Sequence, residues 1–189
     1  MLSSKTIAIV GAGHMGSALI GGILRAKLVA PARVRAARRS EAALAGLHKR
    51  WGVRTFTDND KAIAGADIVI LAVKPQAAAA VVRGLAPRIR SSQLVISLMA
   101  GITTETIAKL LQSPCPVVRA MPNTPAQVDA GATAIAAGAG AGAGHLALAE
   151  RIFGSVGTVV TVPESAMDAV TGLSGTGPVY IFMLIEAMI

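Results

Sequence analysis

At 189 residues the chain is long enough to bury a core without disulfide or metal staples, and it allows one full domain plus part of another. Its 53% hydrophobic content, raised by 37 alanines, excludes disorder; no unbroken apolar run reaches span length, and the lone Cys115 excludes an internal disulfide and thiolate-based metal sites. The net charge of +8 is lopsided, with 15 Lys and Arg against 4 acids in residues 1–95, so it suits a phosphorylated small molecule as well as a polymer, and a 3% aromatic content argues against base stacking.

Short β-branched runs alternate with alanine-rich helical stretches, the pattern of a parallel sheet with crossover helices. Strands are expected at residues 6–10, 33–37, 53–56, 67–73, 94–98 and 117–121, and helices at 15–25, 41–50, 76–85 and 104–111. Asp58 is the N-cap of a further short helix that ends at Gly65. Beyond Pro125 the pattern loosens: a strand over 132–136, a Gly/Ala linker over 138–144, a helix over 145–153 and a last strand over 159–162. Composition shifts at Pro163. Helices at 164–172 and 179–189 follow, richer in large apolar residues, and the second has no C-cap signal, so the expectation is a chain that stops inside a helix. The predicted class is α/β, a Rossmann-type doubly wound sheet over residues 1–163, followed over 164–189 by the start of an all-helical domain.

The strongest chemical signal is Gly11-Ala12-Gly13-His14-Met15-Gly16, a GxGxxG turn that follows a strand and opens a helix. Gly11 permits the tight turn, Gly13 lets the backbone approach a pyrophosphate, and Gly16 lets the helix pack on the strand. No acid ends the second strand to bind a ribose hydroxyl; Arg38, Arg39 and Ser40 stand there instead, suited to a 2′-phosphate, so NADPH is expected over NADH. Ala72, Val73, Lys74 and Pro75 end the most hydrophobic strand, where open α/β sheets bind ligands, although the Lys74 side chain is equally readable as a solvated strand end. Asn59 lies at the third strand's exit and reads as either a crevice residue or a helix cap.

Two prolines make the Arg119-to-Pro125 segment a fixed turn that aims Asn123 and Thr124 at the same crevice. Ser174, Gly175, Thr176 and Gly177, ahead of Pro178, read either as an amide nest for a carboxylate or as an interhelical kink. The three histidines lack metal spacing, and no metal is expected; Cys115 reads as an inert loop residue and Trp51 as a packing anchor.

GAGHMGSALIGGIL, LAVKPQ, VRAMPNTPA and DAVTGLSGTGPVYIFMLIEAM, in that order, closely resemble the pyrroline-5-carboxylate reductases of proline biosynthesis. The resemblance covers essentially the whole chain, and its specific part is MPNTPA together with DAVTGLSGTGP. It implies NAD(P)H-dependent reduction of 1-pyrroline-5-carboxylate to L-proline, with hydride passing from C4 of the nicotinamide to the imine carbon; the cytoplasmic location is expected instead from the single cysteine and from Met1 to Thr6, which lack the pattern of a signal peptide. It puts Gly11 to Met15, Arg38 to Ser40, Asn59 and Ala72 to Pro75 on the cofactor side, and Asn123 with Ser174 to Gly177 near the substrate. Family members continue past the position of Ile189 through helices that form an intertwined dimer and carry an SPGGTT segment, so a truncated chain and a homo-oligomeric full-length form are expected. No catalytic residue is assigned as proton donor, and an NADPH-binding module without turnover is the competing reading. Neither nucleic acid nor membrane is expected as a partner.

Overall fold

The computed structural model describes residues 2–189. Its strands are β1 (Ile7–Val10), β2 (Val34–Ala37), β3 (Arg54–Phe56), β4 (Ile68–Leu71), β5 (Leu94–Ser97), β6 (Val117–Met121), β7 (Gly131–Ala137) and β8 (Gly157–Thr161). The helices are α1 (His14–Arg25), α2 (Glu41–Trp51), α3 (Asn59–Ile63), α4 (Ala78–Leu85), α5 (Thr104–Leu111), α6 (Ala143–Phe153), α7 (Met167–Val170) and α8 (Gly177–Met188). One sheet runs in the order β3-β2-β1-β4-β5-β6-β7-β8. The chain therefore winds outward from β1 in both directions, and the reversal between β1 and β4 opens a crevice at their carboxyl ends.

Alternate residues of the central strands feed two separate cores. Ile7, Ile9, Ile68 and Ile70 pack with Leu19, Ile20 and Ile23 of α1 and Phe153 of α6. Ala8, Val10, Val69 and Leu71 pack with Val82 and Leu85 of α4 and Ile107 and Leu111 of α5. Apolarity at every position of β1 and β4 follows from this two-faced burial, each large aliphatic contributing about 1.5–3 kcal/mol. Cys115 belongs to the second core, where burial pushes its thiol pKa up, in keeping with an inert residue. Trp51 packs against the first core and is flanked by the guanidinium groups of Arg25 and Arg50 at 5.6 and 5.0 Å from its ring.

The expected parallel pattern holds from β3 to β6, but β7 runs antiparallel to β6. The connection between them, built on the 3-10 helix Thr124–Val128, is too short for a crossover helix, which leaves the antiparallel return as the available geometry. β8 then pairs parallel with β7 after the α6 crossover.

The C-terminal part differs more from expectation. The 3-10 helix Glu164–Ala166, α7, the π-helix Thr171–Gly175 and α8 join into one 25-residue helical run, Glu164–Met188, long and apolar enough by length and composition to cross a membrane. Sequence reading breaks this run at the glycines and Pro178. In the structure Pro178 occupies the first turn of α8, where a missing N–H costs nothing, and the π-helix spans the glycines.

Candidate functional site

The phosphate turn is anchored from both sides. The amides of Gly11 and Ala12 both donate to the Ala37 carbonyl at 3.0 Å, tying the exit of β1 to the end of β2. Gly11 has φ +91°, and a Cβ there would lie 2.7 Å from the Ala72 carbonyl oxygen; a Cβ at Gly16 would lie 2.9 Å from the Gly11 carbonyl oxygen and 3.1 Å from Ile9 Cγ2. At Gly13 a Cβ would meet only the Gly11 oxygen at 3.9 Å, so the space above it is open. The first intrahelical bond of α1 runs from Ser17 N to Gly13 O, 2.8 Å, which by helix geometry leaves the amides of His14, Met15 and Gly16 at the free end. No acidic side chain stands in that first turn. Small residues that clear a cradle above unpaired amides fit the pyrophosphate of a dinucleotide.

A cavity of about 950 Å³ runs along this turn and brings together Gly11, Gly13, Arg38, Arg39, Ser40, Asn59, Ala72, Val73 and Lys74 from the expected set. Arg38 and Arg39 are exposed at its rim, and Arg38 Nη1 reaches the Ala12 carbonyl at 3.5 Å. Ser40 also caps α2, accepting from Ala43 N at 3.4 Å, and Glu41 of that first turn does not line the cavity. The ambiguity at Asn59 resolves: Asp58 is the cap, its Oδ1 accepting from Asp60 N at 2.8 Å, which frees the Asn59 side chain to line the cavity. Lys74 is exposed, as one of its two readings held, yet it edges this cavity and a neighbouring one.

The remaining expected cofactor residues lie elsewhere. Ala12 and Gly16 are buried beneath the turn. His14 lines a second cavity of about 440 Å³ with Arg25, Arg38, Arg50 and Trp51. Met15 lines a third, about 230 Å³, with Ala72, Val73, Lys74, Leu98, Met121 and Pro122. Pro75 opens the 3-10 helix Pro75–Ala77 and lines none of these three cavities. The basic cluster of the first half does not converge on one place. Arg25 pairs with Asp129, Arg33 donates to the Ser4 carbonyl at 2.7 Å, and Arg35 donates to the carbonyls of Ala62 and Ala64. Burial, then the neighbouring Arg54 charge, lowers the pKa of Arg35.

On the far side of the third cavity the turn after β6 meets the C-terminal helical run. Asn123 Nδ2 donates to Ser174 Oγ at 3.1 Å, while its Oδ1 accepts from Ala132 N at 2.8 Å. Thr124 is exposed, and neither it nor Asn123 lines the three cavities. The expected amide nest over Ser174–Gly177 does not form. No glycine there takes positive φ, and Thr176 N is occupied by the Thr171 carbonyl at 2.9 Å because the backbone stays helical. The π-turn instead ends in a bend at Thr176 before α8 begins, which is the kinked reading of this segment.

Sequence reasoning missed Gln76, Ala77, Ala80 and Val81, which wall the main cavity, and Leu98, Met121 and Pro122, which wall the third. It also passed over Arg119, fully buried, with Nη2 at 2.7 Å from Asp168 Oδ1. A charge inside an otherwise apolar strand was the available signal.

Comparison with known proteins agrees with this geometry. A family model described as NADP oxidoreductase coenzyme F420-dependent matches residues 6–101, and one described as pyrroline-5-carboxylate reductase dimerisation matches residues 164–189. The pyrroline-5-carboxylate reductase of Methanosarcina acetivorans is 46% identical over 187 residues, covering 99% of this chain and 69% of the relative. A pyrroline-5-carboxylate reductase structure from Coxiella burnetii superposes with TM-score 0.90 at 37% identity, covering 97% of this chain and 68% of that one. A Plasmodium falciparum pyrroline carboxylate reductase structure with NADP bound gives TM-score 0.87 at 28% identity, covering 99% and 68%. Across a glycine turn, a doubly wound sheet and a C-terminal helical run, the likeness is continuous, and the chain belongs to the pyrroline-5-carboxylate reductase family.

Proposed function

We propose that the main cavity takes NADPH and that the chain acts as its family does, reducing 1-pyrroline-5-carboxylate to L-proline. The observation that carries this reading is the Asn123–Ser174 hydrogen bond of 3.1 Å, which joins the SGTGP segment to the turn after β6, next in sequence to Met121 and Pro122 of the third cavity, itself sharing Ala72, Val73 and Lys74 with the dinucleotide cavity. The amides of His14 to Gly16 hold the pyrophosphate at the α1 N-terminus, where the helix dipole favours negative charge. Arg38, Arg39 and Ser40 would hold the 2′-phosphate, and Asn59 with Ala72 to Lys74 would hold the rest of the dinucleotide along the cavity. When bound, NADPH supplies the hydride that reduces the imine carbon. Met15, Val73, Met121 and Pro122 form an apolar wall that excludes water and orients a flat five-membered ring. Asn123, Thr124 and Ser174 to Gly177 form the substrate side. The imine nitrogen takes up a proton in the same reaction, and that proton is assigned to none of these side chains.

Residues 1–163 form the dinucleotide-binding unit, and residues 164–189 belong to a helical interaction unit whose occupant is a second copy of the chain. The lone buried thiol of Cys115 suits the reducing cytoplasm.

Titration with the two cofactors tests the assignment. Hydrogen bonds to charged groups contribute about 1.5–3 kcal/mol, so converting Arg38 and Arg39 to alanine weakens NADPH roughly tenfold or more and leaves NADH nearly unchanged. Equal losses for both cofactors would remove the 2′-phosphate site from these residues.

A further inference from the structure

We propose that Arg119 is a positioning residue for the substrate side of the site. Through Asp168 and Glu164, its buried guanidinium locks the helical run 164–177 against β6, so that Ser174 meets Asn123. The proposal rests on reading Ser174 to Gly177 as the substrate side.

Arg119 is 1% exposed and heads the largest fully buried side chains. Its partners come from one direction. Nη2 lies 2.7 Å from Asp168 Oδ1 and Nη1 lies 3.9 Å from Glu164 Oε1, while Nε has no hydrogen-bond partner among the described residues. The guanidinium is thus satisfied only by the C-terminal run. A buried cation without a counter-charge is strongly unfavourable, so that run cannot drift without stranding it. Glu164 adds a third anchor, its carboxylate accepting from Thr104 N at 2.7 Å and Thr104 Oγ1 at 2.6 Å at the N-terminus of α5. The lock stands close to both halves of the substrate side. β6 continues from Arg119 to Met121 and the Pro122-Asn123 turn, and α7 continues from Asp168 to the π-helix that carries Ser174. A side chain at Gly175 would meet Met121 Sδ at 3.8 Å, so small shifts of the run change the wall of the third cavity.

The test compares the full chain with its Arg119→Met, Arg119→Lys and Asp168→Asn variants by amide hydrogen exchange, NADPH titration, and kcat and KM for 1-pyrroline-5-carboxylate. Loss of a charged hydrogen bond predicts roughly tenfold faster exchange over residues 171–177 in Arg119→Met and Asp168→Asn, with partial rescue in Arg119→Lys. Protection in β1 to β5 and NADPH affinity stay within about twofold of the parent, and KM for the imine rises more than kcat falls. Unchanged exchange over 171–177, or equal loss across the sheet, overturns the proposal. Should Arg119→Met fail to fold, Asp168→Asn decides, because that side chain is 78% exposed and its replacement leaves the core filled. If the parent chain does not oxidise NADPH with the imine, the reduction reading fails while the exchange data still decide the lock.

Discussion

Gly11 and Gly13 sit two residues apart in the phosphate turn and answer to different constraints. Gly11 combines φ +91° with a Cβ position 2.7 Å from the Ala72 oxygen, so Gly11→Ala strains the fold itself. A residue forced into such a region costs about 1–3 kcal/mol, and each kcal/mol lowers Tm by roughly 2–4 °C in a chain of this size. Gly13 has negative φ and its Cβ direction opens to the cavity, so Gly13→Ala keeps the parent Tm while placing a methyl group in the pyrophosphate cradle. Thermal melts with and without NADPH check both. Gly11→Ala melts lower in either condition, and Gly13→Ala melts normally but loses the ligand-induced rise. A normal melt for Gly11→Ala would contradict the account of the turn.

Among the elements, β1 and β4 are joined at their starts by a polar clasp as well as by their shared cores. Asp67 Oδ2 accepts from Thr6 N at 2.8 Å, and its Oδ1 accepts from Lys5 Nζ at 3.0 Å. Partial burial alone would raise the Asp67 pKa, but the Thr6 amide and Lys5 outweigh it and hold the carboxyl below its ordinary value. A lowered folded-state pKa means stability that is present above the unfolded value, about pH 3.9, and lost as pH falls through the folded one. Asp67→Asn is therefore less stable than the parent at neutral pH, and the gap closes in acid. Urea melts at both pH values measure it, and a gap independent of pH would place the effect elsewhere.

The same strands show what was legible beforehand. Runs such as Ile68-Val69-Ile70-Leu71 are apolar at every position because both faces are covered, and a glycine turn between a strand and a helix has few other uses. The direction of β7 was not legible, since strand composition carries no direction and the deciding fact was the short path through Thr124–Val128. The nest reading of the SGTGP segment misled because glycine and proline punctuate most chains. Here a π-turn absorbs the glycines and Pro178 falls in a helix's first turn. Arg119 went unread because its worth depends on carboxylates 45 and 49 residues further along the chain.

At the scale of the whole molecule, α8 is the exposed apolar surface. Tyr180, Ile181, Phe182, Met183, Leu184 and Ile185 are 46–65% exposed on all sides of the helix, and the family dimerisation model covers this segment. Burying one such side chain contributes about 1.5–3 kcal/mol, so any apolar occupant of α8 is favoured over a solvated helix, and the occupant proposed above is a second copy. Sedimentation should find the chain self-associated without detergent, and Phe182→Glu with Ile185→Lys should shift it to monomer while NADPH affinity is retained. A parent chain that sediments as monomer would argue against a second copy on α8.

NADPH deuterated at the transferring C4 position, incubated with this chain and 1-pyrroline-5-carboxylate, tests the reductase assignment most directly. The dinucleotide cavity, joined through Ala72 to Lys74 to the third cavity that Met121 and Pro122 wall, predicts L-proline carrying deuterium at C5, the former imine carbon, as read by mass spectrometry. Proline without the label, or no oxidation of NADPH when the imine is added, would contradict it.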